Sequence, residues 1–180
     1  MLAHTQAKLA FWQNILVVFG GAILLFAASQ IEIPFKPVPI TLQTVAVMLI
    51  GLTYSPRQAL ETHLLWLGAA AVGLPVLHGF DGGIPHLLGP TGGYLLGMLI
   101  SAYAMAFFKQ KLALNSFVSD ALLTLMGTAI VFVLGVAWLA HLIGGEAAIT
   151  HGFFPFIIPG FIKAGLLCAA LQAVRHRRAA

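Results

Sequence analysis

Lys163 is the side chain whose placement most directly implies chemistry. It lies inside the apolar run from Phe153 to Val174, after Pro159-Gly160. An ammonium at membrane depth costs about 2.5–3.5 kcal/mol on insertion scales, so it must face a cavity or a partner. Such a group can serve as a counter-ion or hydrogen-bond donor to a ligand, or as half of a structural pair. Pro159-Gly160 is expected to break or loosen the helix, and freed backbone groups at that depth must line a cavity or find partners. A second polar set, Thr41, Gln43 and Thr44, opens an apolar run after Pro34, Pro37 and Pro39. Gln43 can both donate and accept, which suits an amide-like or ureido group. A third stretch, Gly89-Pro90-Thr91-Gly92-Gly93-Tyr94, leads from a glycine-rich loop into an apolar helix. Thr91 is expected to cap that helix, with the amides of Gly92 and Gly93 as donors at its N-terminus.

Other reactive side chains assemble nothing comparable. His78, Asp81, His86 and His151 fall in connections but match no compact metal motif. Glu61 and His63 are two apart on a helix and face different ways, so they form no dyad. No G-x-S-x-G, H-E-x-x-H or P-loop pattern is present. The residues therefore suggest binding rather than catalysis, with no catalytic group, metal or cofactor expected.

The elements that position these residues are membrane helices. Of 180 residues, 60% are hydrophobic and only 8% charged, and the mean hydropathy is +0.98. A soluble domain carries about 25% charged residues, so a water-exposed surface cannot be covered. The basic residues that give the net charge of +4 stand at the ends of apolar runs and form no patch, which argues against nucleic acid. A bilayer core needs about 20 apolar residues in a helix. Six runs are expected to span it: 11–29, 40–54, 58–77, 92–108, 117–143 and 153–174, within one membrane domain over residues 1–180. Residues 15–28 form a first span rather than a cleaved signal. The short second run could instead be re-entrant, leaving four or five spans.

Charge placement orients the bundle. With six spans, Lys8, Arg57, Lys109, Lys111, Arg175, Arg177 and Arg178 share one side; Lys36, Glu32, Asp81 and Glu146 share the other. The Lys/Arg excess marks the cytoplasmic side, so both termini are expected there, in the cytoplasmic membrane. Glu61 and Asp120 then lie in first turns, where a negative charge suits the helix dipole. Cys168, the single cysteine, is expected to be a small core residue, and Trp12, Trp66 and Trp138 interfacial anchors or ligand contacts. Gly93, Gly97 and Ser101, and likewise Gly165, Ala169 and Ala173, recur at four-residue spacing. Such faces suit close helix packing inside the bundle, or docking of another membrane protein.

Three stretches carry a resemblance to a known family. They are Pro37-Val38-Pro39-Ile40-Thr41-Leu42-Gln43-Thr44, Gly89-Pro90-Thr91-Gly92-Gly93-Tyr94-Leu95-Leu96-Gly97, and Pro155-Phe156 with Pro159-Gly160 and Lys163. Gly73-Leu74-Pro75-Val76 is also similar. Together they resemble BioY, the biotin-binding S-component of energy-coupling-factor (ECF) transporters, over about residues 20 to 172. The resemblance implies an all-α, six-helix S-component-like bundle that captures biotin outside and delivers it to the cytoplasm. It implies docking in the lipid bilayer on a transmembrane coupling protein driven by two ATPase subunits, with no ATP site in this chain. A monomer and a homo-oligomer that works alone both remain open. The implied substrate-binding residues are Thr41, Gln43, Thr91, Gly92, Gly93, Tyr94, Gly160 and Lys163. The family pattern has an Asp three residues before the Lys of the sixth run; this chain has Gly160 there, so Lys163 is carried over without its acid. That departure keeps a different small vitamin as an alternative ligand. An intramembrane enzyme or channel is a third reading without a motif. Whether Lys163 meets the ureido oxygen or the carboxylate of biotin is open.

Overall fold

Two serines set the register of the helices that follow them. Ser55 caps α3 (Pro56–Ala71): its hydroxyl accepts from the Gln58 amide, and Gln58 Oε1 accepts from the Ser55 amide. Ser116 and Ser119 make the same reciprocal box at the start of α6 (Phe117–Ile143). A computed structural model describes the backbone of residues 2–179 and the side chains of residues 11–177. The side chains of Lys8 and Arg178 lie outside the described residues. The remaining helices are α1 (Leu2–Gln30), α2 (Gln43–Thr53), α4 (Ile84–Leu87), α5 (Gly92–Lys111), α7 (Gly145–Gly152) and α8 (Phe154–Ala179).

The expected runs need four corrections. The second does not begin as helix at Ile40: Ile40–Thr41 (β2) pairs antiparallel with Glu32–Ile33 (β1), Glu32 opposite Thr41. Pro37 and Pro39 hold the preceding chain out of helix, and Ile40 suits an extended strand. The third stops at Ala71, not 77, because Gly73 takes a φ of 91° and Pro75 disfavours helix at Leu74. Two short helices, α4 and α7, occupy stretches expected to be loop. Finally, α8 is not broken at Pro159; the helix runs through it, although the proline has no amide to give to the ladder.

Among the described residues, four stretches are long and apolar enough to cross a membrane: Phe11–Gln30, Gly92–Lys111, Phe117–Ile143 and Gly145–Arg177. With 11 and 16 residues, α2 and α3 are shorter. The outward surface is apolar: Leu16 and Ile23 on α1, Leu122 and Val133 on α6, and Ile158, Phe161 and Leu166 on α8 are all exposed. That surface suits lipid, where apolar burial no longer drives helix association.

Small residues then set the packing. A Cβ on Gly93 of α5 would collide with Trp138 and the Leu134 carbonyl of α6, and one on Gly135 of α6 with the Tyr94 ring of α5. Gly97 abuts Val131 and Gly127 abuts Met105. The α5 stripe thus serves packing inside the bundle, whereas Gly165, Ala169 and Ala173 of α8 face outward. Trp66 and Trp138 are clamps rather than interfacial anchors. The Trp66 indole donates to the Val76 carbonyl and that of Trp138 to the Gly89 carbonyl, each at 2.9 Å. Trp12 is exposed, and Cys168 is buried beside Thr124.

Asp120 keeps its expected place in the first turn of α6 and adds a second role there. It is 1% exposed and pairs with Lys109 of α5 and, at 2.6 Å, with Arg175 of α8. One buried carboxylate so ties three helices at one end. Glu61 takes Arg57 at 2.6 Å and the Asn14 amide at 2.9 Å, linking α3 to α1.

Candidate functional site

At the other end, Lys163 reaches from α8 across to β2. Its Nζ donates to the main-chain carbonyl of Thr41 at 2.6 Å. Among the described residues, none of the carboxylates pairs with it. The Thr41 hydroxyl in turn donates to Gln43 Oε1 at 3.0 Å. That bond fixes the carboxamide with its oxygen occupied, and Gln43 Nε2 is left buried with no partner. An unpaired buried donor costs about 1–3 kcal/mol, a cost that a ligand acceptor removes. Thr41 is thus the hub on which an ammonium and an unpaired amide donor are held together.

Both donors line an apolar cavity of about 60 Å³. Its walls are α2 (Val47, Met48), α5 (Tyr94, Met98), α6 (Thr128, Val131, Phe132) and α8 (Phe156, Gly160, Lys163); Val38, Pro39, His78 and Thr91 line it from the connections. Small-molecule pockets usually measure about 300–1,000 Å³, so the cavity as it stands is tight and a ligand must move its walls. Among the described residues, Lys163 is the only Lys or Arg in the lining.

The structure brings Thr41, Gln43, Thr91, Tyr94, Gly160 and Lys163 together around this cavity, and leaves out Gly92 and Gly93. Those two are packing glycines. A Cβ on Gly92 would meet the Leu87 carbonyl, and the Gly92 amide already donates to the Gly89 carbonyl at 3.0 Å. Thr91 is buried but makes no capping hydrogen bond, because its own backbone is already helical. Tyr94 offers a ring face: its hydroxyl is taken by the Gly152 carbonyl at 2.8 Å and its ring stacks on Phe156.

The connections at this end of the bundle are stitched to each other. The Gln30 amide donates to the Leu77 carbonyl at 2.8 Å and its oxygen accepts from the Phe80 amide at 3.0 Å. His78 Nδ1 lies 3.4 Å from Glu32, and His86 Nδ1 lies 2.9 Å from Asp81. The two rings are 4.6 Å apart. Burial first, and the neighbouring His86 second, push His78 below the usual histidine pKa, against the pull of Glu32 and Asp81. The hydrogen bond from His86, then that from the Gly82 amide, holds the Asp81 carboxyl low. These side chains pair off two by two, and no group of three or more among the described residues is placed to hold a metal. Glu61 and His63 are likewise separate: His63 is buried, with Nδ1 on the Ala59 carbonyl.

Sequence reasoning missed the Thr41 carbonyl as the acceptor for Lys163. It also missed the lining by Met98 and His78, and the Asp120 cluster. Phe156 carried a signal, since it stands in the quoted Pro155-Phe156 pair.

The model of the BioY family matches residues 3–180. The chain belongs to the BioY family. A BioY relative from Rickettsia prowazekii, named a probable biotin transporter, is 42% identical over 150 residues, covering 83% of this chain and 77% of its own. One from Thermotoga maritima, named a biotin transporter, is 34% identical, covering 86% of this chain and 90% of its own. A crystal structure of the S-component for biotin from an ECF-type ABC transporter superposes with a TM-score of 0.77 at 28% identity, covering 98% of this BioY chain and 95% of the other.

Proposed function

We propose that this BioY-family chain captures biotin at the outer face of the cytoplasmic membrane as the S-component of an ECF-type transporter. The observation that carries the reading is the pair of donors on Thr41, Lys163 Nζ and the unpartnered Gln43 Nε2, inside an otherwise apolar cavity. Biotin has one charge, its carboxylate, and an anion leaving water needs a cation with hydrogen bonds. Lys163 would exchange the Thr41 carbonyl for that carboxylate, with Gln43 Nε2 as a second donor. The bicyclic head then occupies the apolar remainder between α2, α5 and α6, and the β1–β2 hairpin with the His78 loop covers it. Exchange of the Lys163–Thr41 bond loosens α8 from β2, which accounts for how so tight a cavity opens.

The wider assignment follows the relatives' names and the charge pattern. It comprises six spans with both termini cytoplasmic, α2 and α3 being short spans shielded by the bundle, and docking on a coupling protein with ATPase subunits. The test is binding to the purified chain in detergent, with biotin compared against thiamine and riboflavin. Selective biotin binding supports the reading. A folded chain that ignores biotin and takes another vitamin overturns it, and points to Gly160 as a change of ligand.

A further inference from the structure

An apolar groove of about 780 Å³ runs along the seam between α6 and α8. Phe117, Leu122 and Phe161 stand exposed along it, with the less exposed Ala121, Ala164 and Cys168 between them. On α8 the lining stripe runs from Ile157 to Cys168. At 3.6 residues per turn, Arg175 returns to the face of Ile157, about 10 Å beyond Cys168 along the axis. The groove therefore ends at a cation. The Arg175 guanidinium crosses the seam to the start of α6: Nη2 pairs with Asp120 at 2.6 Å, and Nη1 donates to the Asn115 carbonyl at 3.4 Å. Lys109 shares the same carboxylate, so two cations stand here against one anion. The Arg175 side chain is 30% exposed, and a guanidinium has five donors in all, so it can take a second anion from outside.

We propose that the α6–α8 groove holds an anionic phospholipid, with an acyl chain along the seam and the phosphate on Arg175. The occupant is argued from charge complementarity. Apolar lining alone would suit any membrane segment, but a groove that is apolar along its length and cationic at one end matches a molecule built the same way. Basic pockets between membrane helices hold anionic headgroups for this reason, and a guanidinium meets a phosphate with two parallel hydrogen bonds. The proposal needs a chain set in a bilayer; it does not depend on biotin.

The test is native mass spectrometry of the full chain, delipidated in detergent and titrated with three probes. Dioleoylphosphatidylglycerol carries chains and a net charge, dioleoylphosphatidylcholine the same chains without it, and glycerophosphate the charge without chains. The expected result is one phosphatidylglycerol per chain, bound about tenfold or more tighter than phosphatidylcholine and not displaced by glycerophosphate. Gly165→Leu fills the groove from a position with open space for the new side chain, and should weaken both lipids about tenfold. Arg175→Gln should remove the preference between them and leave phosphatidylcholine unchanged. Because Arg175 also holds Asp120, that variant may unfold; the unmodified chain and Gly165→Leu then decide the matter alone. Equal binding of the two lipids to the unmodified chain overturns the headgroup assignment. Displacement by glycerophosphate, or lipid binding unaltered in Gly165→Leu, overturns the groove as the seat of the chain. A dimer that persists with lipid present and is lost in Gly165→Leu assigns the groove to a second copy instead.

Discussion

Replacing Lys163 with Met removes one charge and keeps most of the stem's volume. In the unliganded chain two effects oppose each other. The ammonium's bond to the Thr41 carbonyl is worth about 1.5–3 kcal/mol, as hydrogen bonds to charged groups are. Keeping a charge at membrane depth costs about 2.5–3.5 kcal/mol. The terms nearly cancel, so the thermal midpoint of Lys163→Met should stay close to that of the unmodified chain. Binding is different. Truncating one partner of a buried charge pair costs about 2–5 kcal/mol, and Lys163 is only half-buried, so the lower half of that range applies. At about 1.4 kcal/mol per tenfold, biotin affinity should fall roughly thirty- to a few hundredfold. Calorimetry on the folded variant measures this. The same titration with N-methyl biotinamide decides which end of biotin Lys163 meets. If it meets the carboxylate, the neutral amide loses far less on mutation than biotin does, as a double-mutant cycle requires of a direct pair. Equal losses place Lys163 at the ureido oxygen instead, and an unchanged biotin affinity refutes the pocket role altogether.

Asp120→Ala leaves Lys109 and Arg175 facing a buried gap; it should destabilise the chain by about 3–5 kcal/mol, as loss of one partner from a buried ion cluster does. Thermal unfolding in detergent reads this, and a midpoint within a degree of the parent's would count against the cluster as a tie between α5, α6 and α8. Gly135→Ala pushes a methyl into the Tyr94 ring; overpacking of this kind costs about 1–3 kcal/mol and should weaken biotin binding through the displaced cavity wall, whereas an unaltered affinity would mean that Tyr94 shapes no part of the pocket. The loops that carry His78, Asp81 and His86 should loosen in acid. His78 is held below the usual histidine pKa of about 6.5, so the opened loop takes up protons before the closed one does. Closure is then complete above that value and declines as pH falls through it. The groups facing His78 are His86, Glu32 and Asp81; the low Asp81 carboxyl acts in the same direction at far lower pH, and weakly, because it is mostly exposed. Hydrogen exchange of the Leu77–Gly83 amides at pH 7.5 and 5.5 should show the loss of protection. His78→Gln should abolish the difference, and equal protection at both pH values would dismiss the device.

Properties that depend on a residue and its near neighbours were legible in the sequence. Apolar run length identified α1, α5 and α6 because a bilayer leaves a backbone few options. The cost of a buried ammonium singled out Lys163 before any partner was known. Gln43 and Tyr94 were marked as site residues, and both line the cavity. Properties that depend on partners distant in the chain were decided only by the tertiary structure. Lys163 finds its acceptor 122 residues away, and that acceptor is a main-chain carbonyl, which every residue carries and no sequence advertises. Gly92 and Gly93 look like ligand-binding glycines until Leu87 and Trp138 are seen against them, since absence of a Cβ serves close packing and close ligand approach equally well. Asp120 has the same first-turn position whether it faces water or two cations; only the convergence of α5, α6 and α8 makes it a buried tie.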